Sequence, residues 1–246
     1  VGFSFWTWAA TIADFGRDRS WMIVLGRFLN TFQVGVFMMA VDIGRLPLNE
    51  VVVPACRALF SGFTAARNET GSFGYAVRRT IETISLLILP ASIGMSAVAG
   101  YIVDLALGPQ WAGSGVVIAW IGASSPLALF AFIGSTAMLV SGHVRNNFAI
   151  GAAYAVIGIA TCAVSASYWG LSGVAVSRAA LVAVEGVAYA WVTSRTVGIS
   201  GREWVHSLWR PVLATTAMAL ALWLSGFGWI TPTGQAGLAE CLRCAD

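Results

Sequence analysis

Charged side chains occur inside long apolar stretches of this sequence, where charge is energetically unfavourable. The first stretch, residues 3–28, carries four of them near its middle: Asp14, Arg17, Asp18 and Arg19. A charge at the centre of a membrane-spanning helix costs about 2.5 to 3.5 kcal/mol on insertion scales. We therefore expect these groups to face protein or a water-filled cavity and to pair with one another. The alternative is that residues 1–19 form an interfacial helix and that the span begins at Ser20.

A second set of polar side chains recurs along the next apolar stretch, residues 34–63. At roughly 100° per residue these side chains share an arc of about 140°: Asp42, Arg45, Asn49, Glu50 and Arg57. Pro47 and Pro54 lie within this stripe and can kink the helix. Ionisable groups beside prolines at membrane depth are typical of helices that line a transport path. The alternative is that Asp42 and Arg45 form a structural salt bridge between helices.

A third pair of charges, Arg178 and Glu185, lies in an apolar stretch that covers residues 171–193. Their spacing of seven places both side chains on one face of a helix. The pair either faces the interior of a bundle or neutralises itself, and the sequence leaves both interpretations open.

Composition indicates which elements must position these charges. The chain has 246 residues, of which 58% are apolar and 10% charged, whereas soluble domains carry about 25% charged residues. A bilayer core needs about 20 residues of helix, so the apolar stretches predict an all-α, polytopic transmembrane bundle. The predicted spans are residues 3–28, 34–63, 81–107, 116–140, 148–167, 171–193 and 212–230.

Positive charge in the loops predicts the orientation of the bundle. Alternate loops carry seven arginines: Arg67, Arg78, Arg79, Arg145, Arg195, Arg202 and Arg210. The intervening loops and ends carry only Arg27 and Arg243. Because basic loops stay in the cytoplasm, we expect the arginine-rich loops there, in a bacterial inner membrane. Seven spans followed by a polar tail, residues 231–246, suggest a fragment of a longer transporter.

Neither enzymatic nor metal chemistry is indicated by the remaining residues. Phosphate-binding, serine-hydrolase and zinc-protease motifs are missing, and the loops are too short to build a catalytic surface. Cys56 and Cys162 lie in apolar segments and are interpreted as packing residues, while Cys241 and Cys244 form a lone pair without a second ligand pair. We therefore expect no enzyme, no cofactor and no metal site. The net charge of +3 sits in loops, so nucleic acid is not an expected partner.

Four short motifs in a fixed order resemble a known family. They are Leu25-Gly26-Arg27-Phe28-Leu29, Leu46-Pro47-Leu48, Pro54-x-x-Arg57-x-Leu59-Phe60 and Leu107-Gly108-Pro109-Gln110-Trp111. The series resembles the second half of bacterial polysaccharide-biosynthesis transporters, which are lipid-linked oligosaccharide flippases of the multidrug/oligosaccharidyl-lipid/polysaccharide exporter superfamily. The resemblance covers roughly residues 12–225.

The resemblance implies one bundle of a two-bundle transporter of twelve to fourteen spans, with undecaprenyl-diphosphate-linked sugars as the substrate. It implies that the cavity is lined by Arg17, Asp18, Arg19, Asp42, Arg45 and Arg57. The carboxylates that we expect to couple transport to a proton or cation are Asp14, Asp18, Asp42 and Glu50. Implied partners are the lipid-linked substrate, membrane lipids, and the polymerase and glycosyltransferases of the same pathway.

Other functions remain open at the level of sequence. A multidrug or small-molecule exporter of the same superfamily would share the bundle, although we would expect its cavity to be more acidic or aromatic. A non-transporting membrane scaffold is the alternative from another class. A membrane-embedded transferase is disfavoured because no loop offers catalytic residues.

Overall fold

The chain folds as an all-α bundle. The computed structural model describes Trp8, Ile12 and residues 21–68, 72–111, 113–198 and 201–224. Within these ranges nearly every residue is helical and no strand occurs. The predicted fold class, an all-α membrane helix bundle, is confirmed.

The helices follow one another with short connections. In chain order they are α1 (residues 21–28), α2 (Thr31–Gly44), α3 (Val53–Asn68), α4 (Ser72–Ala97), α5 (Ala99–Ile102), α6 (Ser114–Val140), α7 (Val144–Val197) and α8 (Gly201–Leu224). Two π-helical segments, Leu48–Val52 and Val103–Leu107, and a 3₁₀ turn, Pro109–Trp111, complete the described path.

Four of these helices are long and apolar enough to cross a membrane. The qualifying stretches are Phe73–Ala97, Ser114–Val140, Val144–Val197 and Arg202–Leu224. The helix Thr31–Gly44 is apolar but shorter. The described residues therefore form a membrane-embedded bundle.

Helix α7 is a hairpin of two arms. Gly170 has φ 59° and ψ −144°, a conformation that only glycine adopts readily. The Tyr189 hydroxyl lies 3.0 Å from the Asn147 side-chain oxygen, although a straight helix would separate these residues by about 60 Å. The arms, residues 144–169 (α7N) and 171–197 (α7C), therefore lie side by side. The predicted spans 148–167 and 171–193 fall one on each arm.

The predicted second span, residues 34–63, is not one uniform helix. Helix α2 gives way at Arg45 to the π segment Leu48–Val52, which leads into α3. Pro47 and Pro54 flank this segment, and neither has a backbone N–H to continue the α-helical hydrogen-bond ladder. The polar stripe predicted on one regular helix is therefore divided by a change of helical pitch.

The other predicted spans differ from the described helices mainly at their ends. The stretch 81–107 falls on α4, α5 and the π segment that follows them, and α4 already begins at Ser72. Helix α8 begins at Gly201, upstream of the predicted span 212–230. Residues 225–230 and the predicted tail, residues 231–246, lie outside the described ranges, as does most of the predicted first span.

Helix α6 forms the centre of the bundle. It is apolar on all sides and contacts α2, α3, α4 and α7. Two buried clusters pack along it. One includes Ile118 and Ile121 and lies among α1, α2 and α7; the other includes Leu129 and Ile133 and lies among α3 and α4.

The connections between helices gather at two ends. The α3–α4, α6–α7 and α7–α8 connections define what we call the arginine end: Arg67 of α3 donates to the Val140 carbonyl at the end of α6, and Trp204 of α8 donates to Ser194 of α7 over 2.8 Å. The opposite end holds Gly170 and the Phe32–Trp111 ring contact at 6.1 Å. Which end faces the cytoplasm stays a prediction.

Candidate functional site: an arginine cavity

An arginine is buried inside the bundle on α7C. Arg178 is 8% exposed, and it lies about 12 Å along the helix from the turn at Gly170, at about 1.5 Å per residue. Its guanidinium keeps its charge at any physiological pH. A permanent cation at this depth requires polar or aromatic surroundings.

An aromatic ring from α1 covers this arginine. The Arg178 guanidinium carbon lies 4.6 Å from the centre of the Trp21 ring, and Trp21 is 5% exposed. The negative face of an indole attracts a cation, and the attraction strengthens when water is excluded. Gly158 of α7N packs beside the ring, and a side-chain carbon added there would lie at ordinary contact distance, 3.5 Å, from it.

A cavity of about 50 Å³ opens beside this pair. Four helices contribute to its wall. The lining residues are Trp21, Arg45, Tyr154, Gly158, Arg178, Leu181, Val182 and Glu185. The structure thus brings Arg45, predicted from the second span, to the same cavity as the predicted pair Arg178 and Glu185.

Contacts between α2 and α6 set the position of Arg45. Asn30 begins α2 with a reciprocal cap, accepting from the Gln33 backbone N–H over 2.8 Å. At the other end of the helix, Gly44 packs so closely that an added Cβ would lie 3.0 Å from Ile121. The Ser125 hydroxyl donates to the Gly44 carbonyl over 3.3 Å. Arg45, the next residue, is therefore held beside the bundle interior.

Backbone packing positions Glu185 in the same way. Gly186 follows it on α7C, and an added Cβ there would collide with the Leu127 carbonyl of α6. Small residues allow helices in lipid to approach closely. Because α7C lies directly on the α6 backbone, the side chain of Glu185 has a defined direction.

The charges of the cavity favour an anion. Two guanidinium groups and one carboxylate line it, which gives a formal excess of one positive charge. Arginine is suited to phosphate because its planar fork can bond two oxygens at once. The present volume holds water, since a water needs only about 10–15 Å³ of such space, but it does not hold a sugar. The cavity is therefore too small for a sugar in this conformation.

The remaining predicted site residues lie elsewhere. Asp42, Glu50 and Arg57 are exposed and are not among the residues that line this cavity. Asp14, Arg17, Asp18 and Arg19 lie outside the described residues. Their roles in substrate binding and ion coupling stay predictions.

Two aromatic residues of the cavity were not predicted from the sequence. Trp21 and Tyr154 belong to the wall, yet neither was singled out from the sequence. The available signal was weak: Tyr154 and Gly158 are spaced by four and share a helix face. Pairing them with Arg178 requires α1 to pack against both arms of α7, which the predicted spans do not specify. Among the described residues, no group of three or more metal-ligating side chains occurs.

These features define a membrane-embedded helical bundle with a small, cationic cavity. Residues 1–115 match a protein-family model described as polysaccharide biosynthesis protein. The predicted resemblance to polysaccharide-biosynthesis proteins is thereby confirmed over this part of the chain, and it supports a role in polysaccharide biosynthesis. Trp21 and Arg45 fall within the match, whereas Arg178 and Glu185 follow it. No curated protein and no solved structure matches the chain.

Proposed function

We propose that this protein is a transporter, and not an enzyme, that moves lipid-linked oligosaccharide across the bacterial inner membrane for surface polysaccharide export. The observation that carries the proposal is the convergence of Arg45 and Arg178 on one cavity inside a membrane-embedded bundle. The family match over residues 1–115 supports the polysaccharide class of substrate. The lipid carrier we propose is undecaprenyl diphosphate.

The diphosphate group is the part of this substrate that needs the arginines. A doubly charged anion in a low-dielectric region requires fixed cations, and two guanidinium forks supply several donors with defined directions. Glu185 and Tyr154 offer hydrogen-bonding partners for sugar hydroxyls. The lipid tail remains in the surrounding bilayer throughout.

The small volume of the cavity implies a conformational step. About 50 Å³ lies between α1, the end of α2 and the two arms of α7, which is far below the volume of an oligosaccharide. In the proposed cycle, α1 and α2 move away from α7 to admit the substrate from the cytoplasmic side, and the reverse face opens afterwards. Asp42 and Glu50, which are exposed, are proposed together with Asp14 and Asp18 as coupling carboxylates.

Complementation of polysaccharide export tests this proposal. The full protein is expressed in a strain that lacks its own flippase, and surface polysaccharide is measured at equal membrane levels of each variant. Arg45→Gln and Arg178→Gln should each reduce export by about tenfold or more, because a charge-assisted hydrogen bond contributes about 1.5–3 kcal/mol. The control is Arg79→Gln, which removes one charge from an exposed position and should leave export unchanged.

The same strains separate the alternatives. Full export by both cavity variants would contradict a role for the arginines. Resistance to toxic cations, with no polysaccharide export by the parent protein, would instead indicate a small-molecule exporter. Restoration of neither activity would agree with a membrane scaffold.

A further inference from the structure

A second and larger cavity opens at the arginine end. It is separate from the cavity that Arg45 and Arg178 line. Its volume is about 460 Å³, and it lies between the beginning of α4, the end of α7C and the beginning of α8. It is lined by Phe73, Gly74, Tyr75, Arg78, Thr196, Val197, Gly198 and Glu203. We call it the terminal cleft. None of its residues belongs to the proposed transport site.

One cation faces the terminal cleft. The Arg78 guanidinium lies 5.8 Å from the centre of the Tyr75 ring and 3.7 Å from the Glu203 carboxylate. The separation from Glu203 exceeds the distance of a hydrogen-bonded ion pair. Both side chains are partly solvent-exposed, so an incoming anion can reach the guanidinium from the cleft.

The surroundings of the cleft are strongly cationic. Seven arginines lie on the helices that meet at the arginine end, namely Arg67, Arg78, Arg79, Arg145, Arg195, Arg202 and Arg210. The described acidic residues nearest to them in sequence are Glu82 and Glu203, which pair with Arg79 and Arg78. Such a surplus of arginine at the membrane surface attracts anionic lipid headgroups to the protein.

Exposed apolar side chains, which we call the apolar belt, lie on the rim of the cleft and on the side of α8 that is turned away from Glu203. On the first turns of α8, Val205 is 70% exposed and Trp209 is 45% exposed. Tyr75 on the cleft rim is 62% exposed. Tryptophan and tyrosine beside arginine are typical of the bilayer interface, where their rings sit at headgroup level. A ligand that fills the cleft and follows this belt needs both an anionic head and apolar chains.

We propose that the terminal cleft binds the headgroup of an anionic phospholipid, whose phosphate contacts Arg78 in place of Glu203 and whose acyl chains lie along the exposed face of α8. Glu203 acts as the internal competitor of the lipid phosphate. A free phosphate shares the headgroup chemistry but has no chains for the apolar belt. The lipid is therefore the occupant that the cleft and the belt together favour.

Lipid binding to the purified, delipidated full protein tests this site. Bound phosphatidylglycerol and phosphatidylcholine are counted by native mass spectrometry as each lipid is titrated, and inorganic phosphate is titrated separately. We expect saturable binding of phosphatidylglycerol with a preference over phosphatidylcholine. Arg78→Gln should weaken phosphatidylglycerol binding by about tenfold, as expected for the loss of one charge-assisted contact.

Two further variants are expected to change lipid binding differently from Arg78→Gln. Arg79→Gln removes the same charge from the neighbouring residue, which does not line the cleft, and should leave affinity nearly unchanged. Glu203→Gln removes the competitor and should strengthen phosphatidylglycerol binding several-fold, so the proposal remains testable even if Arg78→Gln does not fold.

Three results would overturn the proposal. Equal losses in the Arg78 and Arg79 variants would show diffuse surface attraction without a site. Weaker lipid binding by Glu203→Gln would exclude the competition between carboxylate and phosphate. Inorganic phosphate that displaces phosphatidylglycerol at comparable concentration would show a free-anion site.

Discussion

Two arginines on the same arm of α7 meet tryptophan rings in very different surroundings. The Arg178 guanidinium lies 4.6 Å from the Trp21 ring, and the Arg195 guanidinium lies 4.1 Å from the Trp191 ring. The first pair is buried by four helices, whereas Trp191 is 57% exposed. The same contact thus stabilises an interior cation in one place and forms an interfacial anchor in the other.

This difference shows that burial determines which partners can stabilise an arginine charge. An exposed arginine has water as an alternative partner, so its contact with an aromatic ring contributes about 0.5–1 kcal/mol. A buried arginine has lost that alternative, and its protein surroundings must stabilise the charge. A permanent charge at this depth costs free energy, and we propose that its role in this bundle is substrate binding.

The largest expected difference between the buried and the exposed arginine is in the stability of variants of their tryptophan partners. Trp21→Leu should lower the free energy of unfolding by about 2–4 kcal/mol, because it loses buried aromatic area and the covered cation together. Trp191→Leu should lower it by about 1 kcal/mol or less. Unfolding in mixed detergent micelles, followed by circular dichroism, measures both. Equal losses would contradict the distinction between the two arginines.

A smaller effect is expected from the backbone contact beside Glu185. Gly186→Ala places a methyl group against the Leu127 carbonyl and should destabilise the protein by about 1–3 kcal/mol. The matched control is Gly62→Ala on α3, where no atom lies within 4 Å of an added Cβ. That change should be neutral or stabilising by up to about 1 kcal/mol. Thermal unfolding of the two variants in one detergent checks the pair, and a stable Gly186→Ala protein would rule out the close approach of α7C to α6.

The smallest effect belongs to the surface pair on α4. Arg79 and Glu82 lie 3.4 Å apart, and the Arg79 side chain is 62% exposed. Arg79→Gln should change the free energy of unfolding by about 0.5 kcal/mol at most, since exposed pairs of this spacing contribute little. Its unfolding should also respond to salt no differently from that of the parent protein. A loss above 1 kcal/mol would mean that the arginine end is more tightly organised than its exposure indicates.

The sequence was sufficient to predict the helical bundle and the depth of several charges. Apolar stretches of membrane length, separated by arginine-bearing loops, require membrane helices, because charge and unpaired backbone are both unfavourable in lipid. The same reasoning singled out Arg45, Arg178 and Glu185, which line one cavity in the structure. Their types and positions in apolar segments carried that information.

Other features could not be predicted because they depend on long-range packing. The cavity joins Trp21 of α1 to Arg178 of α7C, which are far apart in the sequence and are brought together by the fold around α6. The resemblance implies that Asp42 and Arg57 line a substrate cavity. In the structure both are exposed and a π segment lies between them, and their role in binding stays a prediction. The spacing of residues along a helix indicates which side chains share a face. It does not show whether that face packs against another helix, lines a cavity or is exposed.

Flipping by purified protein tests directly whether the protein transports lipid-linked oligosaccharide with the help of Arg45 and Arg178. The full protein is reconstituted into liposomes that contain a diphosphate-linked oligosaccharide lipid, and a membrane-impermeant glycan-cleaving enzyme reports how much substrate reaches the outer leaflet. We expect flipping by the parent protein, a loss of about tenfold or more in Arg45→Gln and Arg178→Gln, and an unchanged rate in Arg79→Gln. Equal rates in the parent and both cavity variants would contradict a role of Arg45 and Arg178 in substrate binding.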